Sequence, residues 1–122
     1  NTITAYLMKK LSPKTMVEYA KRLGFKSEIE AVPSLMYGTN DISVYELAGA
    51  FSTFVNKGTY TEPQFLVRIE DKNGVLIEEF VPKKEAALNE ETAYTMLYML
   101  RGATEERGGT AQGLRGKYPN LW

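Results

Sequence analysis

Residues 43–60, with the sequence SVYELAGAFSTFVNKGTY, carry the clearest fold signals in this chain. Ser43 and Glu46 form a Ser-x-x-Glu capping box, in which the serine caps the backbone N–H of the glutamate and the glutamate side chain reaches back. Apolar residues then recur at helical spacing. Gly58 follows them as a stop signal, because glycine favours the left-handed conformation that ends helices. The stretch therefore predicts a helix from Val44 to Val55.

The apolar stripe of this helix and that of a later one predict the hydrophobic core. Helical spacing places each stripe on one side of its helix, where it should face the rest of the protein. We expect six side chains to be largely buried: Leu47, Phe51, Phe54, Met96, Leu97 and Leu100. On this expectation, Phe51→Ala costs about 3–5 kcal/mol, the usual range for a buried aromatic residue.

Three further helices are predicted from spacing and caps. Apolar spacing indicates one helix from Thr2 to Leu11. Ser12 and the proline after it start a second helix, since serine caps a free N–H and proline fits the first helical position. Gly24 ends this second helix. Asn89 caps the last one, which has two glutamates in its first turn.

Between these helices the apolar period changes to two, which is typical of strands. Asn73-Gly74 fits a two-residue type I′ turn between them. We expect antiparallel strands near 64–71 and 75–81. The predicted fold class is α+β and mostly helical, with about four helices and one antiparallel β-hairpin in a single unit spanning 1–122.

Composition narrows the possible chemistry. Lys plus Arg and Asp plus Glu balance at 15 each, which gives no electrostatic reason to expect nucleic acid or an anionic membrane as a partner. The chain has no Cys and no His, so disulfides, thiolate metal sites and a serine–histidine triad are excluded. No apolar run reaches the roughly 18 residues of a membrane span. We expect no metal and no cofactor.

Three weaker patterns favour ordinary structure over function. The glycine-rich segment 108–113 lacks the strand and the Gly-Lys-Ser/Thr ending of a phosphate loop, so it indicates a turn. Carboxylates without a neighbouring His are typical of solvated surface, and tyrosines four apart on a helix are typical of packing. These residues are Glu28, Glu30, Glu78, Glu79, Tyr94 and Tyr98.

One nucleophilic scheme needs no His: a serine three residues before a lysine, facing a Lys-Thr-Gly strand. No serine here has lysine at that position; the serines are Ser12, Ser27, Ser34, Ser43 and Ser52. Lys57-Gly58-Thr59 has the strand's residues in the wrong order. The chain by itself therefore lacks this catalytic set.

The order of the motifs nevertheless resembles the transpeptidase domain of class A, bi-functional penicillin-binding proteins, a serine β-lactamase-like fold. The matching segments span nearly the whole chain and are 19–24, 33–38, 42–48, 49–58, 71–76, 94–100 and 109–111. Each is weakly specific, whereas the ordered set is distinctive. Met36 and Tyr37 depart from the family's Ala-Leu, a change of packing residues.

The resemblance places the chain between the family's Ser-x-Asn and Lys-Thr-Gly motifs, as part of a longer domain. Asn1 is then the last residue of Ser-x-Asn, where it would help to hold the catalytic lysine and the substrate amide. The serine of that motif is not in the chain. The alternative is that Asn1 is an ordinary terminal residue or a helix cap. The Ser-x-x-Lys and Lys-Thr-Gly motifs are expected outside the chain.

By the same resemblance, the longer protein is a D,D-transpeptidase of peptidoglycan synthesis. It would acylate its serine with stem peptides, or with β-lactams, and transfer the acyl group to an amine. It would also carry a glycosyltransferase domain and a membrane anchor, and act in the cell envelope, on the outer face of the cytoplasmic membrane. The 122 residues alone are expected to be inactive.

A second interpretation is a self-standing helical module that binds a protein or peptide without catalysis. It requires no motif outside the chain. The first interpretation expects apolar surface that the longer protein covers, near the hairpin, the first helix and Leu121-Trp122, and self-association through it.

Overall fold

Local signals set most of the helix boundaries in the computed structural model, which describes residues 2–118. The α-helices are α1 (Thr2–Leu11), α2 (Pro13–Arg22), α3 (Val44–Val55), α4 (Glu90–Glu105) and α5 (Gln112–Lys117), with a 3-10 helix at Pro33–Tyr37. The strands are β1 (Thr59–Thr61), β2 (Arg68–Glu70), β3 (Leu76–Glu79) and β4 (Lys84–Ala86). The α+β, mostly helical class is confirmed.

The predicted caps are present at three helix starts. The Ser12 hydroxyl accepts from the Thr15 N–H at the start of α2, and the Asn89 side chain accepts from Thr92 N–H at 2.8 Å at the start of α4. At α3 the capping box is complete, with both reciprocal bonds to Ser43 and Glu46 formed. These side chains satisfy N–H groups that a helix leaves free at its first turn.

The hairpin is confirmed, with shorter strands than expected. β2 pairs with β3 in antiparallel register, and Ile69 lies opposite Glu78. A second antiparallel pair, β1 with β4, encloses the hairpin in sequence and was not predicted. Its two strands have three residues each and lack apolar alternation, so no period-two pattern marks them.

The turn of the hairpin differs from the predicted type. A type I′ turn needs positive φ at both central residues. In the described residues only Gly74 of this turn has positive φ, at 79°, and Asn73 does not. The Asp71 carboxylate accepts from the backbone N–H groups of Asn73 and Val75, both at 2.8 Å. The aspartate thus sets a longer turn that ends at the glycine.

The predicted core is wrong for half of its members. Leu47, Phe51 and Leu100 are exposed at 45%, 49% and 36%, whereas Phe54, Met96 and Leu97 are half-buried. The buried side of α3 is instead formed by the small residues Gly49, Ala50 and Thr53, together with Glu46. The other buried side chains are Met8, Tyr60, Ala87 and Ala93.

Close packing explains this choice of face. α3 packs against β1 and α4. A Cβ added at Gly49 would lie 3.1 Å from atoms of both Pro63 and Tyr60. Such an approach leaves no room for a leucine or phenylalanine on this side of the helix. The large apolar residues therefore point the other way.

The segment after α4 forms a helix that was not predicted. Gly109 lies so close to the end of α4 that an added Cβ would be 2.4 Å from the Ala103 carbonyl oxygen. The Ala111 N–H donates to the same carbonyl at 2.9 Å. This tight reversal directs α5 back against α4, with which it packs. α5 has six residues and no side-chain cap, which leaves little sequence signal.

Candidate functional site

Most serine hydroxyls in the described residues have structural partners. Ser12 and Ser43 cap helices, and Ser27 donates to Glu46 at 2.7 Å. Ser52 donates to the Gly49 carbonyl at 2.7 Å. Across residues 2–118 no serine hydroxyl is hydrogen bonded to a lysine amine, the contact that would activate it as a nucleophile.

The most strongly bonded polar side chain is Glu46, which is 8% exposed. Its carboxylate accepts from the backbone N–H groups of Lys26 and Ser27, at 2.8 and 2.7 Å. It also accepts from the hydroxyls of Ser27 and Ser43, both at 2.7 Å. One carboxylate therefore ties the segment after α2 to the start of α3.

These bonds determine the acidity of Glu46. The hydroxyls of Ser43 and Ser27, followed by the backbone N–H groups, lower the pKa of the Glu46 carboxyl to about 2. Hydrogen bonds to the charged form favour ionisation. A carboxylate with such a pKa and with its oxygens occupied is a poor proton acceptor near neutral pH. Its hydrogen bonds position the backbone of the segment after α2.

Only part of the hydrogen-bond network around Glu46 can be predicted from the sequence. The Ser-x-x-Glu spacing identified the bond between Ser43 and Glu46. Lys26 and Ser27 are separated from Glu46 by about twenty positions, and no local pattern links them. Their contact depends on how the segment after α2 lies against the start of α3.

A second connection joins the same segment to the sheet. The Lys26 amine pairs with Glu62, which lowers the pKa of the Glu62 carboxyl and raises that of the lysine. The lysine side chain is 72% exposed, so the pair adds little stability.

Tyr60, two residues before Glu62 on β1, is 5% exposed, and burial raises the pKa of its phenol.

An apolar groove of about 550 Å³ lies where the C-terminal end of α3 meets α4 and α5. Its lining includes Val55, Leu97 and Leu114, one from each helix. Charged side chains stand beside these residues, and they are Arg101, Glu105 and Arg115.

The charged groups of the groove form one cluster. The Glu105 carboxylate binds Arg101 at 2.9 Å and Arg115 at 2.6 Å, which connects α4 to α5. The guanidinium of Arg101, with a smaller contribution from Arg115, holds the pKa of the Glu105 carboxyl below its usual value. Two guanidinium groups share one carboxylate, so the cluster has one surplus positive charge.

The weaker sequence patterns remain surface features. Glu28, Glu30 and Asp41 line a shallow depression, and across residues 2–118 no group of three acidic, His or Cys side chains is arranged to hold a metal ion. Tyr94 and Tyr98 are exposed on α4. Glu78 and Glu79 are exposed on β3. Of the segment expected to form a turn, residues 108–111 do so, and residues 112 and 113 begin α5.

The single predicted catalytic residue, Asn1, lies outside the described residues. Its assignment to a Ser-x-Asn motif stays a prediction. Within residues 2–118, no helix is long and apolar enough to cross a membrane. The described part of the chain thus presents a scaffold and a groove.

Comparison with protein families gives a match over almost the entire chain. Residues 1–120 match the model described as the penicillin-binding protein transpeptidase domain. Among curated proteins, the chain is 32% identical over 112 residues to penicillin-binding protein 1A of Aquifex aeolicus, a match that covers 92% of this chain and 15% of that protein. It is 36% identical over 103 residues to penicillin-binding protein 1A/1B of Bacillus subtilis, covering 80% of this chain and 11% of that protein.

A solved structure has a similar fold. The D,D-transpeptidase domain of a peptidoglycan glycosyltransferase from Eggerthella lenta superposes with a TM-score of 0.73 at 20% sequence identity. The match covers 90% of this chain and 35% of that domain. The present chain therefore spans about a third of the solved domain, and a smaller share of the curated relatives.

Proposed function

Because this chain belongs to the penicillin-binding protein transpeptidase domain family, we propose that it forms part of an enzyme that cross-links peptidoglycan stem peptides. The observation that carries this proposal is the family match over residues 1–120. The agreement of fold with a solved D,D-transpeptidase domain supports it. The alternative of a self-standing peptide-binding module is not favoured, since it explains neither match.

The proposed reaction is acyl transfer through a serine. A lysine accepts the serine proton, the serine attacks the D-Ala-D-Ala carbonyl, and the terminal D-Ala leaves with a proton. An amine of a second stem peptide then attacks the acyl-enzyme ester and frees the serine. β-Lactams acylate the same serine. The serine and lysine belong to parts of the longer protein that are not in this chain.

Within this scheme the described residues act as support. The Glu46 cluster fixes the segment after α2 against α3, and the close packing at Gly49 fixes α3 against β1. Precise placement matters, because small displacements of reacting groups cost large factors in rate. Asn1 is proposed to end the Ser-x-Asn motif and to orient the lysine and the substrate amide.

Location and domain organisation follow from the same proposal. The longer protein would be anchored in the cytoplasmic membrane and work on its outer face, and it would carry a glycosyltransferase domain. Its partners would be stem peptides and β-lactams.

Labelling with a fluorescent penicillin tests the function. We expect the longer protein to be labelled covalently and the 122-residue chain to remain unlabelled, because the chain has no Ser-x-x-Lys. No labelling of the longer protein would contradict the proposed activity. An adduct on the short chain, found by intact mass, would contradict the location of the nucleophile.

The role of Asn1 has its own test in the longer protein. Asn1→Ala should slow acylation by about a hundredfold, since the lysine and the substrate amide lose a positioning contact. Asn73→Ala is a matched control, because Asn73 lies exposed in the hairpin turn. Equal rates in the two variants would remove Asn1 from the proposed site.

A further inference from the structure

The face of α3 that turns away from β1 is apolar and lacks a cover in the described part of the chain. It is formed by Val44, Leu47, Phe51 and Val55, which we term the α3 stripe. Val44 and Val55, at its two ends, are 83% and 72% exposed. The stripe carries no charge along three turns of helix.

The α3 stripe leads directly into the groove between α3, α4 and α5. Val55 is the last residue of the stripe and also lines the groove, together with Leu97 and Leu114. Leu114 is itself 50% exposed. The stripe and the groove therefore form one continuous apolar surface that crosses three helices.

Such a surface is unusual on a free monomer. Contiguous apolar patches above a few hundred Å² tend to mark interfaces. A helix with one face of mostly small residues packed closely and an opposite face of large apolar residues left open is typical of a helix buried within a larger core. The burial pattern of α3 thus indicates a second packing partner on the stripe side.

We propose that the α3 stripe and the adjoining groove are an intramolecular interface, covered by the part of the transpeptidase domain that lies outside this chain. This rests on the proposed assignment of the chain to a longer transpeptidase. The chain matches 35% of a solved domain of the same fold at a TM-score of 0.73, so about two-thirds of such a domain is available to pack here.

The chemistry of the surface specifies the covering segment. An apolar segment suits the uncharged stripe, where a buried charge would have no partner. Over the groove, Arg101 and Arg115 share the single carboxylate of Glu105. An acidic or neutral side chain fits this surplus positive charge, and a basic one does not. The occupant is therefore an apolar segment without lysine or arginine at its groove end.

Cysteine accessibility in the longer protein tests the interface directly. This chain contains no cysteine, so single substitutions report one position each once any cysteine elsewhere is replaced. Val44→Cys and Lys14→Cys make a matched pair, because both side chains are exposed in this structure, Val44 at 83%, and only Val44 belongs to the stripe. The probe is a maleimide, applied to the native protein and in urea.

We expect the thiol at residue 44 to react at least tenfold more slowly in the native protein than in urea, and the thiol at 14 to react at similar rates in both. Phe51→Cys should behave like Val44→Cys. Equal native labelling at 44 and 14 would overturn the proposal. Protection at 44 that disappears on dilution would also overturn it, because a second copy would then be the cover.

Penicillin labelling of the same variants distinguishes failure of the proposed interface from failure of the proposed enzymatic function. Protection at residue 44 without penicillin labelling would support the interface and contradict the enzymatic function. Labelling with penicillin while residue 44 reacts freely would support the function and overturn the interface. An unchanged circular dichroism spectrum shows that the variants keep the fold.

Discussion

The ring of Tyr60 lies directly against the backbone of Gly24, so that a Cβ at residue 24 would come within 2.2 Å of the Tyr60 Cε2 atom. Gly24 ends the turn after α2 with φ of 92°, and Tyr60 lies on β1. The contact joins the end of α2 to the small sheet. Gly49 also approaches the same ring, since a Cβ there would lie 3.1 Å from the Tyr60 Cε2 atom.

Gly24→Ala should therefore destabilise the chain through two effects. Positive φ alone costs an alanine about 1–2 kcal/mol. Displacing the buried tyrosine adds an overpacking cost of about 1–3 kcal/mol. Gly38→Ala is the matched control, because Gly38 has φ of 72° and no neighbour within 4 Å of an added Cβ. Urea unfolding should show a clearly larger loss for Gly24; equal losses would mean that the ring moves freely.

Gly109 and Gly113 provide a second matched comparison, because Gly109 lies close to the backbone of α4 and Gly113 has no close neighbour. Gly109→Ala would put a Cβ 2.4 Å from the Ala103 carbonyl oxygen, a backbone atom that cannot move without shifting α4. We expect a loss of about 1–3 kcal/mol by urea unfolding. Gly113→Ala meets no neighbour and lies in α5, so it should gain up to about 1 kcal/mol. A gain at both positions would contradict the tight reversal.

Glu46 should make stability depend on acid pH. The pKa of its carboxyl is about 2 in the folded chain against an ordinary value of 4.5. A lowered folded pKa contributes stability that is complete above the ordinary pKa and is lost as the pH falls towards the folded value. The difference in urea midpoint between the unaltered chain and Glu46→Gln should therefore shrink from about pH 5 to about pH 2.

The control for this measurement is Glu78→Gln, which changes an exposed carboxylate on β3. It should keep the same acid dependence as the unaltered chain, because the Glu46 cluster is intact. A constant difference between the unaltered chain and Glu46→Gln over the whole pH range would show that the carboxylate is not held as described.

Truncation of aromatic side chains should cost more at Tyr60, which is buried, than at Phe51, which the sequence places in the core. Tyr60 is 5% exposed, so Tyr60→Ala should cost about 3–5 kcal/mol, the range for a buried aromatic residue. Phe51 is 49% exposed and contacts Phe54 edge to face, so Phe51→Ala should cost about 1 kcal/mol in the 122-residue chain. Thermal unfolding of the two variants checks the order. A larger loss at Phe51 would mean that chains associate through the α3 stripe.

Of all features of the fold, the starts of α2, α3 and α4 are predicted best from the sequence. Ser12, Ser43 and Asn89 each cap the helix predicted to follow them, because a cap is a bond between residues two or three positions apart. The hairpin can be predicted for the same reason, because its strands are close in sequence. The type of its turn cannot, since it depends on the Asp71 carboxylate, which accepts from the N–H groups of Asn73 and Val75. The ordered motifs also identified the family that the match over 1–120 confirms.

Tertiary structure alone decided which side of α3 is buried. Periodicity shows that Leu47 and Phe51 share a face, but it cannot show what packs on the opposite one. The buried face is the one that carries Gly49, because Tyr60 and Pro63 approach this glycine too closely for any large side chain. The same holds for Glu46, whose partners Lys26 and Ser27 are brought to it when the segment after α2 folds against the start of α3. Local bonds can be predicted from the sequence because their partners are neighbours in the chain, whereas these contacts exist only once distant segments have come together.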